Sequence, residues 1–192
     1  MKGTIVKCLE ELVRTKHGDE RWRAILARSG MASTTLFFTM SVVPDDDVVA
    51  LLGSTANVLG ITLEAAMDAF GDYWSTTYAP SIYGAYFKKA KGAKDFLLNL
   101  DHIHVAMTKT AGASPPRFRY EWRGERLLVM HYDSPRGLVA LMPGLIRGVG
   151  RYFNERLTVS VKANEVHIVF PVGAGPEARS SRRHGVDARR RD

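Results

Sequence analysis

Tyr132, Ser134 and Arg136 stand at every second position in the stretch HYDSPRG. On an extended segment that spacing puts the three side chains on one side, while His131 faces away. Arginine offers a planar fork matched to carboxylate or phosphate, and a tyrosine and a serine hydroxyl can each donate one further hydrogen bond to the same anion. The set suits a ligand with two flexible carboxylates. It would equally serve to hydrogen-bond a strand end to a helix terminus, and the residues alone leave both readings open. Upstream, NLDHIHVAMTK carries two histidines that helical geometry separates. On a 3.6-residue period His104 shares a stripe with Leu97, Leu100, Met107 and Ala111, whereas His102 lines up with Asp95, Asn99 and Lys109. His104 is therefore expected to point inward and His102 outward. A neutral imidazole turned inward can ligate a metal, and it can also be an ordinary core residue.

The elements that must carry these residues read as helices first and strands later. In KGTIVKCLEELVRTKHG the apolar residues Ile5, Cys8, Leu9, Leu12 and Val13 recur at three and four, and Gly18 follows basic residues, as at a helix C-terminus. A shorter helix follows in RWRAILARSG and ends near Gly30. Pro44 and three aspartates open the next, which stops at Gly60. Thr62 and Glu64 open another, for which Ala79-Pro80 marks an end. A further helix is expected from about Lys94 to Thr110, terminated by the GASPP stretch of Gly112 to Pro116. After the prolines the period falls to two. RFRYEW and ERLLVMHYD flank Arg123-Gly124, a hairpin turn, and LTVSVKAN with EVHIVFPV gives a second strand pair after the helical GLVALMPGLIRGVGRYFNE. Gly144 and Gly148 in that last helix suit close approach to a neighbour. The expected class is α+β: a helical N-terminal region packed on a small antiparallel sheet with one crossing helix.

The chain has 192 residues, 45% apolar and 24% charged, enough for one domain whose core encloses a ligand. No run reaches the roughly 18 apolar residues of a membrane span, and the first residues mix acids and bases, so a cytoplasmic location without membrane insertion is expected. Cys8 is the single cysteine, which excludes an internal disulfide and any multi-cysteine metal site from this chain. The formal charge is +7, but six arginines against three acids in residues 173–192 account for +3 of it. That segment is expected to be a disordered basic tail behind a domain of residues 1–172, and nucleic acid is not the expected partner. No P-loop, H-E-x-x-H or nucleophile elbow is present to carry enzymatic chemistry.

In order along the chain, MKGTIV, the D-x-x-H-x-x-x-x-K of Asp101, His104 and Lys109, the pair Pro115-Pro116, and Tyr132, Ser134 and Arg136 resemble the haem nitric oxide/oxygen binding (H-NOX) family, the sensor domain related to that of soluble guanylate cyclase. The resemblance covers residues 1 to 172 and implies the H-NOX fold enclosing haem b, with His104 as proximal iron ligand. It further implies propionates held by Tyr132, Ser134 and Arg136, and Pro116 pressing on the porphyrin. Oxygen-binding members carry a tyrosine five positions beyond the motif arginine, where this chain has Leu141. The positions that support that tyrosine align with Leu9 and Trp74, and Ile5 and Leu145 add apolar wall. The resemblance thus implies a ferrous haem sensor for NO, with CO as a non-physiological ligand, in which weakening of the bond to His104 is the switch. Its expected partner is a separate histidine kinase or diguanylate cyclase. The rival reading is a colourless binding module for an acidic small molecule or nucleic acid, recognised by affinity that falls steeply with salt.

Overall fold

Helix α1 (Gly3–His17) buries Val6, Cys8, Leu9 and Val13, carries Arg14, Lys16 and His17 in its last turn, and stops at Gly18 with φ 86°. Those cations complement the helix C-terminus, and the positive φ is one that glycine adopts without strain. The computed structural model describes residues 1–108 and 115–172 of the chain. The expected tail, residues 173–192, lies outside the described residues, as do Lys109, Thr110, Ala111 and the first three residues of GASPP.

Helix α2 (Asp19–Arg28) follows directly, with Asp19 and Glu20 in its first turn. Helix α3 (Asp45–Leu59) opens on three aspartates and ends at left-handed Gly60. The Thr62 hydroxyl accepts from the Ala65 amide at 3.1 Å and caps α4 (Leu63–Tyr73). The expected stop at Ala79-Pro80 is not there. The chain continues through a π-turn over Trp74–Tyr78 into α5 (Ala79–Lys89). The wider turn comes just before Pro80, so the proline falls in the first turn of α5, where its missing N–H and fixed φ cost little. The helix bends again at Tyr83, whose φ of −122° and ψ of 24° are not helical.

The single helix expected from Lys94 is two: α6 (Ala93–Leu98) and α7 (Leu100–Thr108). At the break Asn99 has φ −95° and ψ 2°, and its side-chain amide donates to the Asp95 carbonyl at 2.8 Å. A short polar side chain that bonds the local backbone offers the chain an alternative to helix continuation.

Strands β1 (Arg117–Arg123), β2 (Leu127–Asp133), β3 (Thr158–Lys162) and β4 (Glu165–Val169) form one antiparallel sheet in the order β1-β2-β4-β3. Arg123 still pairs with Leu127, so the first turn is Gly124–Arg126 with Gly124 at φ 81°, one residue later than the sequence suggests. Phe118, Met130 and Tyr132 face the core, and His131 lies on the other face beside Glu121 and Glu165, as alternation requires.

Helix α8 (Met142–Tyr152) links β2 to β3 and crosses α4 at close range. A Cβ at Gly144 would lie 2.8 Å from the Asp68 Cα, and one at Gly148 would lie 2.7 Å from the Ser75 Cβ. The contact is closed at its rim by Asp68 with Arg147 and by Asp72 with Arg151. Apolar side chains collect in two clusters. One is N-terminal, around Leu9, Trp22, Ile25 and Leu51; the other lies between α8 and the sheet, around Leu97, Met130, Ile146 and Ile168. Trp74, Leu138 and Leu145 touch both and form the seam.

Candidate functional site

A cavity of about 260 Å³ opens at that seam. On α7, Leu100, Ile103, His104 and Met107 form one wall, and Leu97 of α6 adjoins them, as the helical stripe predicts. His102 is exposed. Burial lowers the His104 imidazole pKa from its ordinary 6.5, against the opposing pull of a hydrogen bond with the Pro116 backbone and of the Asp101 charge. The ring is therefore neutral at pH 7 and keeps a lone pair for a metal. Asp101, at the start of α7, accepts from the Phe118 amide at 3.3 Å and lies 3.4 Å from Arg117, which fastens the histidine-bearing helix to β1.

The cavity is also lined by cations. Met1, Lys2 and Arg136 all line it. Arg136 Nε donates to Asp45 Oδ2 at 2.6 Å, and the Met1 ammonium donates to Asp45 Oδ1 at 2.6 Å. Lys2 Nζ donates to the Met107 carbonyl at 3.1 Å. Burial pushes the Asp45 carboxyl up, but hydrogen bonds from the ammonium and the guanidinium, with their charges, outweigh it and hold the pKa below 3.8. One carboxylate thus joins the chain's first residue, just ahead of α1, the first residue of α3 and the turn after β2.

Tyr132 is buried in the cavity wall beside Phe118, but the strand ends at Asp133. Ser134 to Gly137 form a turn in which the Gly137 amide donates to the Ser134 carbonyl at 3.5 Å and the Arg136 amide donates to Ser134 Oγ at 3.4 Å. The expectation of three side chains on one strand face is corrected accordingly. Tyr132 and Arg136 line the cavity, and Ser134 shapes the turn that presents Arg136.

Pro116, Ile5, Trp74, Leu141 and Leu145 line the cavity, and Leu9 does not. Leu9 lies one turn beyond Ile5, about 6 Å further along the axis, and packs in the N-terminal cluster instead. Sequence reasoning missed Tyr83 and Tyr86, which line the cavity with Ala79 and Phe87. Their spacing is a helical stripe, hidden because the helix was expected to end at Pro80. Ser75 was also missed; its hydroxyl donates to the Leu145 carbonyl at 2.9 Å and helps hold α8 against the π-turn.

Among the described residues no group of three or more His, Cys, Asp or Glu gathers to hold a metal. A lone imidazole does not retain an ion, so a metal at His104 must bring its other ligands with it. The apolar body of the cavity and the cations that line it fit a macrocycle that carries iron and ends in carboxylates.

These features define a class: a helical half and an antiparallel sheet closing on an apolar cavity, with one imidazole and several cations in its lining. The fold is shared with an H-NOX protein from S. oneidensis in the Fe(II)NO ligation state, at TM-score 0.77 and 18% identity over 89% of this chain and 98% of that one. It is shared too with an oxygen-binding H-NOX domain related to soluble guanylate cyclases, in its oxygen complex, at TM-score 0.73 and 24% identity over 88% and 95% of the two chains. In sequence the chain is similar to soluble guanylate cyclase gcy-35 of Caenorhabditis elegans, 26% identical over 207 residues, which covers 98% of this chain and 30% of that relative. The chain thus spans less than a third of the length of that relative. The Haem-NO-binding family model matches residues 2–161, and the chain belongs to that family of haem-binding gas-sensor domains.

Proposed function

We propose that this chain is a nitric oxide sensor that holds haem b through His104 and has no catalytic activity of its own. The observation that carries the reading is a half-buried, neutral imidazole in the wall of an apolar cavity that cations also line. Ferrous haem, when bound, supplies the iron at which a diatomic gas is taken up. The chain's residues do the rest. His104 ligates the metal, and the Asp101 contacts to β1 fix the direction from which it does so. Arg136 and Tyr132 hold the carboxylates, with Ser134 setting the turn that aims Arg136. Pro116 packs against the ring system. Ile5, Trp74, Leu141 and Leu145 exclude water from the gas side.

Selection for NO, with CO as a non-physiological ligand, rests on Leu141 and Leu145, which give no hydrogen bond to a bound gas. Bound oxygen needs such a donor more than nitric oxide does. The output we assign to a separate histidine kinase or diguanylate cyclase in the cytoplasm. Among the described residues no single helix is long and apolar enough to cross a membrane, which is compatible with that location.

An absorption spectrum tests the reading. Haemin-reconstituted protein, reduced without oxygen, should show a Soret band that moves on adding NO and should form no stable oxy complex in air. His104→Gly should lose the five-coordinate ferrous spectrum until imidazole is added. An unchanged spectrum in that variant removes the histidine assignment, and a persistent oxy band removes the gas assignment. A protein that stays colourless after reconstitution supports the haem-free binding module instead.

A further inference from the structure

Residues 29–44, SGMASTTLFFTMSVVP, contain no charged side chain, although the chain as a whole carries +7. Within this stretch Leu36, Phe38, Met40 and Val42 are 71%, 66%, 70% and 57% exposed. They are large side chains held at the surface by a backbone that is itself firmly anchored. Phe37 turns inward and packs edge-on against buried Trp22. The Ser41 amide and hydroxyl both bond the Phe38 carbonyl, at 3.1 and 2.7 Å. The Gly3 amide donates to the Ser41 carbonyl and the Val43 amide to the Met1 carbonyl, each at 2.8 Å. The turn sits so close to α1 that a Cβ on Gly3 would lie 2.0 Å from the Phe38 oxygen. Surface apolar residues scattered singly need no explanation, but four in seven residues on an anchored segment form a ridge.

We propose that this ridge is where a second copy of the chain docks, in a weak two-fold dimer. The four side chains expose on the order of 450 Å², inside the ~300–600 Å² range of the largest patch on a monomer, a size that is often functional. Two ridges facing one another would bury about 900 Å² in total, near the ~1,000 Å² that a specific interface needs and far below an obligate dimer. The fit is therefore to a reversible dimer. A two-fold contact is self-complementary, each ridge meeting its own copy, and the missing charge lets two like-charged chains meet there without repulsion. The three aspartates that follow, Asp45 to Asp47, disfavour an anionic lipid surface as the occupant.

Sedimentation equilibrium of the full chain tests this at about 5 to 500 µM, in low salt and at ~0.5 M salt, where charge repulsion is screened. The average mass should climb toward two chains with concentration, and more strongly in high salt. Phe38→Ser with Met40→Ser should raise the dissociation constant at least tenfold without altering the far-ultraviolet circular dichroism, and Leu36→Ser alone should shift it in the same direction. Ile82→Ser, at another exposed apolar residue, should leave it unchanged. A single-chain mass at every concentration overturns the proposal and leaves the ridge to a different protein. Association that survives the ridge substitutions, weakens with salt or responds to Ile82→Ser overturns it as well. The measurement needs no haem, so its outcome is independent of the gas-sensing reading.

Discussion

At the residue scale, Asp45 ties two of the cavity's cations together, because it binds Arg136 and the Met1 ammonium at once. Its folded pKa lies below the unfolded value near 3.8, so the unfolded chain binds the proton more readily. The stability it contributes is fully present above about pH 3.8 and is lost as pH falls through the lowered folded value. Asp45→Asn should therefore flatten the acid limb of a stability-against-pH curve from urea denaturation. An acid limb identical in both proteins would show that Asp45 contributes nothing to it. The inward set of His104 could be read in the sequence because helix α7 obeys its period through that residue. Ser134 and Leu9 could not be placed so. Tertiary geometry ended the strand one residue before Ser134 and put Leu9 a turn above the cavity, and neither fact is written in local spacing.

At the scale of elements, the α4–α8 crossing sets the cavity's shape, since Leu145 lies beside the Gly144 contact and on the cavity wall. Two kinds of interaction hold the crossing, and their sizes differ. The rim pairs Asp68–Arg147 and Asp72–Arg151 are partly exposed, and each is worth no more than about 1 kcal/mol. The glycine contact admits no side chain at all. A Cβ at Gly144 would meet backbone atoms of Met67 and Asp68 at 2.9 and 2.8 Å, and backbone cannot rotate away as a side chain could. Gly144→Ala should gain up to ~1 kcal/mol in helix propensity and lose about 1–3 kcal/mol to overpacking, for net destabilisation in urea melts. A variant as stable as the parent would mean that the helices separate freely. Gly144 and Gly148 were legible as close-packing positions from the sequence, because a helix interior seldom carries two glycines a turn apart without such a reason. The helix through Pro80 was not legible, since the π-turn that accommodates the proline has no sequence signature of its own.

At the scale of the whole molecule, the two apolar clusters meet at the seam residues Trp74, Leu138 and Leu145 and at the α4–α8 crossing, with the cavity at that seam. The sequence announced the change from helical to strand period after Pro116, and with it the division into two halves. It did not announce that both halves would line one cavity. A group that binds the folded state alone adds RT ln(1 + [L]/Kd), about 4 kcal/mol when free ligand stands a thousandfold above Kd. At ~2–4 °C per kcal/mol for a chain of this size, haemin should raise the melting temperature by about 10 °C. The gain should also be cooperative. Without ligand, amides of α1 to α3 should exchange hydrogen at rates different from those of the sheet, because α1 to α3 belong to the N-terminal cluster and the sheet to the other, with the cavity at the seam between them. With ligand, contacts to Ile5 on one side and His104 on the other join them, and the slowest amides of both halves should converge on one opening rate. Equal melting temperatures with and without haemin, or a single opening rate in both states, would mean that the seam already makes the two halves one cooperative unit.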